Sequence, residues 1–318
     1  MQTALRWDKN VLEPVFRELF SREMKNKKDF IPLLYGVENS NKAEESIEII
    51  GGEGLMEEWK YSNNQVFYDD IQELGQKYFR HKKFSIGRTI ERDFVDDLKL
   101  TAIKDRIRSM ADAVYKTLQL SAVETFNNAD KTTGTDFRGR PYDATVFDGK
   151  PLCATDHPIN PKDPNDGVQS NKGTDELSID SWDATAVAMQ EWKDDRGNPL
   201  VVVPDTLLVS PYNARRAFQI AGIPGKGEGY EPDTNGNFNI NMYEGQIKVI
   251  VNPYLKNRKA WFAIDSTRMK LAHKWYWRRR PENGSIEDFD TEVMKYKTVG
   301  RWTHGAVDWT WLYGHFPA

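Results

Sequence analysis

The run DDLKLTAIKDRIRSMADAVYKTLQLSAVETFNN, residues 96–128, decides how the chain is read. Leu100, Ile103, Ile107, Met110, Val114, Leu118, Ala122 and Phe126 recur at steps of three or four, which puts them on one stripe of an α-helix. Asp96 and Asp97 stand where carboxylates favour the positive end of a helix. A helix over 97–128 would be about 48 Å long at the usual rise. A helix of that length with a single apolar stripe needs a sheet lying along it.

Strand signals flank it. Over residues 77–92, Phe84, Ile86 and Ile90 alternate with Lys83, Ser85, Gly87, Thr89 and Glu91, the period of a half-buried strand. Late in the chain Leu271, His273, Trp275 and Trp277 alternate, as do Met294, Tyr296 and Thr298, then Val307, Trp309, Trp311 and Tyr313. These long strands are the expected sheet for the helix. Residues 129–176 are rich in Gly, Pro, Asp and Asn without a period and read as a long loop. Residues 177–260 read as a small α/β unit, with helices over 182–192 and 211–221 and strands over 207–209 and 246–251. A Gly-rich loop over 222–239 interrupts it.

The first 76 residues cannot close a core alone. Residues 1–42 read as a polar arm with a short amphipathic patch: Val11, Leu12, Val15, Phe16, Leu19 and Phe20. Residues 43–76 are acidic and punctuated by Gly51, Gly52 and Gly54, which reads as an extended β arm or hairpin. Such arms bury too little apolar surface to offset backbone ordering by themselves, and can do so against a partner.

Composition excludes several function classes. Among 318 residues, 44 Lys and Arg face 48 Asp and Glu, a formal balance of −4. With a pI near 5.9 there is no global cationic excess for non-specific nucleic-acid binding. A hydrophobic fraction of 39% and a mean hydropathy of −0.70 imply a thin core. The 10 Trp, 13 Tyr and 15 Phe suit extensive subunit contact. The lone Cys153 permits no intrachain disulfide and no thiolate metal cluster, so a cytosolic origin is the default. No run approaches the roughly 20 apolar residues of a membrane span, and no signal-peptide core precedes the body.

Candidate chemistry is sparse. Cys153 lies four residues from His157, with Asp156 between them, in FDGKPLCATDHP (147–158). The pair reads either as nucleophile and base of a cysteine hydrolase or as a structural thiol in an extended loop bounded by Pro151 and Pro158. His81, His157, His273, His304 and His315 show no metal-ligand spacing. Asp96 with Asp97, and Asp69 with Asp70, are explained by a helix start and a solvated turn rather than by acid–base work. KWYWRRR (274–280) reads as a single-strand stacking platform or as a Trp-lined core face with solvated arginines, since strand alternation separates Tyr276 from Trp275 and Trp277. Gly225, Gly227 and Gly229 do not complete a dinucleotide fingerprint. No catalytic residue, cofactor or metal ligand is assigned.

The order of elements resembles the tailed-bacteriophage major capsid fold of the Hong Kong 97 type, and is most similar to Mu-type major head proteins. The likeness rests on GLMEEWK (54–60), FSIGRTIERDFVDDL (84–98), FDGKPLCATDHP (147–158) and DTLLVSP (205–211), with Asp308 and Trp309 in support. It implies an α+β shell protein. Residues 1–42 would be an N-terminal arm, 43–76 an extended arm lying on a neighbour, 77–150 and 261–318 a peripheral domain with its spine helix over 97–128, and 151–260 an axial domain. Head-to-tail contacts that close give rings of five or six.

The implied subunit-contact residues are Glu53, Leu55, Glu58 and Trp59 on the arm, Arg278, Arg279, Arg280 and Glu282 near local threefold contacts, and Lys226 and Tyr230 at the capsomer axis. The implied partners are further copies of the chain, a separate scaffolding protein, a portal and a decoration protein. The enclosed double-stranded DNA is not bound sequence-specifically, which the acidic balance suits. An internally fused scaffold is not expected, and no covalent cross-link residues are placed. A nanocompartment shell of the encapsulin type, holding an enzyme cargo, is the alternative with the same fold.

Overall fold

The computed structural model describes residues 9–52, 55–59, 65–66, 68, 72–97, 100–222, 243, 245–288 and 290–318. In chain order the elements are α1 (Lys9–Lys25), α2 (Ile31–Leu34), β1 (Gly36–Asn39), β2 (Glu44–Ile50), β3 (Glu73–Arg80), β4 (Lys82–Glu91), α3 (Arg92–Asp96), α4 (Leu100–Ala122) and α5 (Glu124–Asn127). Then come β5 (Thr133–Thr135), β6 (Pro141–Asp143), β7 (His157–Asn160), β8 (Asp163–Gln169), β9 (Lys172–Gly173), α6 (Ile179–Gln190), β10 (Thr206–Val209), a 3-10 turn (Pro211–Asn213) and α7 (Ala214–Ala221). The chain closes with β11 (Lys248–Val251), β12 (Trp261–Ile264), α8 (Ser266–Ala272), β13 (His273–Asp288), β14 (Val293–Ala306) and β15 (Leu312–His315). No described helix is long and apolar enough to cross a membrane.

The long helix is α4. Its stripe Ile103, Ile107, Met110, Val114 and Leu118 is buried against a four-stranded sheet of order β1-β13-β14-β4. Side chains of this kind contribute about 1.5–3 kcal/mol each when fully buried. The sheet meets the helix with aromatic rings. Trp302 stacks on Phe84 with centroids 4.2 Å apart, and Trp275 and Trp277 fill the space beside them. The helix is shorter than the expected 97–128. It steps off at Val123 (φ −100°, ψ 0°) and resumes for one turn as α5, with Asn127 N–H bonding Val123 O at 2.9 Å. Asp96 and Asp97 stand at the end of α3 rather than at the start of the long helix.

The expected N-terminal arm is part of the body from Lys9 onward. Phe16, Leu19 and Phe20 of α1 are buried, Phe16 stacks on Tyr296 at 4.1 Å, and Arg108 pairs with Glu23 at 3.3 Å. Farther on, the Gln119 side chain accepts from Phe30 N–H at 3.1 Å, and Tyr35 Oη donates to Ala122 O at 2.8 Å. Of the amphipathic patch, Phe16, Leu19 and Phe20 pack on the core of the same chain and Val15 is exposed, while the side chains of Val11 and Leu12 lie outside the described residues.

A second sheet has the order β11-β10-β12-β15-β9, with α6 and α7 packed on it. The expected α6, β10, α7 and β11 are all present. Its membership revises the late-strand reading. Residues 261–264 and 312–315, expected in the peripheral sheet, hydrogen-bond here: β12 pairs with β10, and β15 with β12. Residues 266–272 form a helix capped by Asp265, whose Oδ1 accepts from Thr267 and Arg268 N–H, so Leu271 is an exposed helical residue rather than a strand position. The alternation over 307–313 is a turn followed by β15. Asp308 takes up the Trp309 and Thr310 N–H groups, and the Trp309 and Trp311 rings are both buried.

The long loop 129–176 is built from two small hairpins, β5–β6 and β7–β8, and the edge strand β9. Asn171 locks it in place. Its Nδ2 donates to Leu152 O (2.7 Å) and Leu312 O (3.0 Å), while its Oδ1 accepts from Ala154 N–H at 2.9 Å. One contiguous hydrophobic cluster runs from Phe16 and Met110 through Phe126 to Trp261, so the two sheets share a core.

Candidate functional site

The first part of the expected extended arm, the β2–β3 hairpin, lies along the body of its own chain from Ser40 to Gly52. Its strands β2 and β3 pair antiparallel from Glu44↔Arg80 to Ile50↔Glu73. They connect to the four-stranded sheet through Ser40 and His81, whose Oγ and Nε2 lie 2.9 Å apart. Ser40 Oγ also donates to Glu45 Oε1 at 2.5 Å, and Ser40 N–H to Trp277 O at 2.9 Å.

The arm root lies over one end of the sheet's outer face. Ile47, Ile49 and Phe79 pack on Tyr276 and Val307 as a satellite cluster. A Cβ on Gly305 would come within 2.7 Å of the Phe79 ring, so only glycine permits this approach. Lys77 pairs with Asp143 at 2.8 Å, and Gly52 N–H donates to Asp195 Oδ1 at 2.5 Å.

Beyond Gly52 the described residues turn outward. Leu55 is 75% exposed, Met56 99% and Trp59 57%, with Glu57 and Glu58 exposed beside them. Apolar side chains grouped in this way on a protruding segment mark a contact surface. Glu53, and Lys226 and Tyr230 of the expected axial loop, lie outside the described residues.

Arg278, Arg279, Arg280 and Glu282 are exposed on β13. Register shifts there set Arg279 opposite Arg301 and Glu282 opposite Val299. The Arg280 guanidinium lies 5.2 Å from the Trp277 ring centroid, a cation–π contact. The stacking-platform reading of KWYWRRR fails on burial. Trp275 and Trp277 face the core, and Tyr276 lies under the arm root, so no ring is free to stack on a base.

The cysteine–histidine reading also fails. Cys153 is fully buried and burial pushes its thiol up, away from the thiolate a nucleophile needs. His157 Nδ1 bonds Asp148 Oδ2 at 2.6 Å, and its ring stacks on Trp309 at 4.4 Å. The motif FDGKPLCATDHP is therefore a buried stitch between loop and core. Among the described residues no group of three or more His, Cys, Asp or Glu is placed to hold a metal ion.

Two features were not legible in the sequence. The row Lys83–Arg301–Arg279 exists only through strand register. The contacts of Gly51 and Gly52 with Asp195 and Asp194 join positions more than 140 residues apart.

The phage capsid protein family model matches residues 75–314, most of the chain. The chain belongs to the phage capsid protein family. Solved structures agree on the fold. A chain from Mycobacterium phage Patience superposes with a TM-score of 0.54 at 10% identity, covering 98% of this chain and 88% of that one. Another, from Microbacterium phage Oxtober96, gives 0.51 at 9% identity with 90% of each chain covered. The virus-like particle from Pyrococcus furiosus gives 0.54 at 8% identity, with 94% and 97% covered. No curated protein sequence matches. The capsid chain thus has the Hong Kong 97-type fold and is a structural major capsid protein of the virion shell.

Proposed function

We propose that the chain closes head-to-tail into pentamers and hexamers, and that these build the icosahedral head around the double-stranded DNA of a tailed phage. Assembly takes place in the host cytoplasm with a separate scaffolding protein, and a portal and decoration protein join the shell. In this reading β2–β3 and the segment beyond them are the extended arm, α4 is the spine, the four-stranded sheet is the peripheral platform and the five-stranded sheet is the axial unit. Leu55, Glu58, Trp59 and Glu53 reach a neighbouring copy, Arg278–Arg280 and Glu282 meet others near local threefold axes, and Lys226 and Tyr230 line the capsomer axis.

The observation that carries this is on the arm, where Leu55 and Met56 stand in solvent in the isolated chain. Expression with the neighbouring genes followed by electron microscopy tests it. Closed shells of uniform size are expected. Protein that remains monomeric at every concentration, with scaffold present, would overturn the reading.

A nanocompartment shell is the second reading, favoured by the likeness to the Pyrococcus furiosus particle. Neighbouring genes for portal and terminase support the virus, and a cargo enzyme copurifying inside the shell supports the compartment.

A further inference from the structure

Resting on the shell reading and deepening it, we propose that Asp194 and Asp195, in the turn that follows α6, are positioning residues that clamp Gly51 and Gly52 and so fix the point and direction in which the chain beyond them departs from the body. The contact is made between backbone and carboxylates. Gly51 N–H donates to Gln72 O at 2.7 Å, extending the β2–β3 pairing by one step. Gly52 N–H donates to Asp195 Oδ1 at 2.5 Å. A Cβ on Gly51 would come within 2.5 Å of Asp195 Oδ2, and one on Gly52 within 2.5 Å of Asp194 Oδ2. Only glycine at both positions lets the strand lie this close to the turn.

The turn is a firm seat. Asp194 Oδ1 accepts from Arg196 N–H at 2.9 Å and from Asn198 N–H at 2.8 Å, and Gly197 takes the left-handed conformation at φ 83°. Its base is tied down by Gln169, whose side chain accepts from Lys193 N–H at 2.7 Å and donates to Lys193 O at 2.8 Å. Just before it, Trp192 is buried in the main core, with its ring 5.1 Å from that of Trp309 and its Nε1–H donating to Ser170 O at 3.1 Å. The seat is therefore anchored through buried aromatic packing and side-chain bonds to backbone, not through the arm.

The hairpin is thus held at both ends. Near its root Phe79, with Ile47 and Ile49, packs on Tyr276 of the four-stranded sheet, and at its far end Gly51 and Gly52 sit on the 194–198 turn. A strap fixed at two places to a body with one continuous core moves with that body. Its ordering is complete before any partner arrives, and a preorganised segment loses less freedom on docking. Asp195 is buried, so drawing Gly52 away would strip a hydrogen bond from a carboxylate that water reaches poorly. The clamp stands three residues before the exposed Leu55 and therefore sets where that contact segment begins.

Hydrogen exchange of the full chain, free and in shells made with its scaffold, tests this. In the unaltered chain, peptides covering 44–52 should exchange at least about tenfold more slowly than those covering 55–59, and should keep that protection in shells. Equal exchange of the two in the free chain, or faster exchange over 44–52 after assembly, would overturn the inference. Asp195→Ala and Gly52→Ala should each speed exchange over 44–52 at least about tenfold, leave β13 and β14 protected, and cut the yield of shells of wild-type diameter at least about fivefold. Asp195→Asn, which keeps an acceptor oxygen, should stay within about twofold of wild type in both readings. Loosened hairpins that still build uniform shells at normal yield would overturn the positioning role, as would lost protection in β13 and β14, which would make the contact a support of the fold. Failure of the unaltered chain to form shells would instead sink the shell reading, and exchange in the free chain would still judge the clamp.

Discussion

Glu124 closes a recess of about 600 Å³ between the arm root, β4 and the β5–β6 hairpin. It is almost fully buried. Burial lifts its carboxyl from 4.5 to about 7, against the pull of Lys82 and with Asp136 adding to the rise. The unfolded chain ionises this group near 4.5 and the folded chain only near 7. Its contribution to stability is therefore complete below pH 4.5 and is lost as pH rises through 7. Glu124→Gln should stabilise the unassembled chain at pH 8 by roughly 2–3 kcal/mol, with the gain vanishing near pH 4.5, measured by chemical denaturation across pH.

Three histidines pull the other way. Burial holds His273 and His304 near 3 and His315 near 4, so their contribution is present above about 6.5 and is lost as pH falls toward those values. Their tautomers follow from their partners. His273 Nδ1–H donates to Leu34 O, whereas His315 Nδ1 accepts from Asp175 N–H and its Nε2–H donates to Thr185 Oγ1. Asp148→Ala should cost about 2–4 kcal/mol by removing the buried partner of His157, and a thermal melt falling by less than a degree would contradict this.

Among the elements, α4 was the most legible because its stripe depends on local spacing alone. Met110→Ala is expected to cost about 2–5 kcal/mol, while Lys104→Ala on the solvent face should change stability by less than about 0.5 kcal/mol, in the same denaturation assay. β4, β10 and β11 were legible for the same reason. β13 and β14 were legible too, from His273, Trp275 and Trp277 and from Met294, Tyr296 and Thr298, whereas the segments flanking them were not. Trp309 and Trp311 keep a strand's period in a turn because Asp308 gathers the local N–H groups while both rings are drawn into the core. Leu271 belongs to α8 because Asp265 caps a helix that a period-two reading cannot detect over so few residues. Val201, at φ 49° and largely exposed, is a strained β-branched residue for which the fold offers no explanation. Of the site, the exposure of residues 55–59 was legible from composition, because a stretch so rich in glutamate and glycine buries little apolar surface. The cation row was not, since register is set by pairing across the sheet rather than by neighbours in sequence.

For the whole molecule, the contrast between body and arm is the property to measure. The body has one continuous core, and the described arm tip contributes nothing to it. Limited proteolysis of the unassembled chain should cut first within the exposed residues 55–59, and the same bonds should resist in closed shells. Equal cleavage in both states would show that assembly leaves the arm uncovered.

The two sheets are joined by two short backbone spans running side by side, α8 from β12 to β13 and residues 307–311 from β14 to β15. They are bonded at one end by Asp265 N–H to Trp311 O (3.0 Å) and at the other by Val307 N–H to Ala272 O (2.8 Å). Tension that tries to part the sheets thus pulls on twin covalent cables before it reaches side-chain packing. A head filled under pressure should burst along seams between copies, releasing tiles whose own two halves are still fastened together.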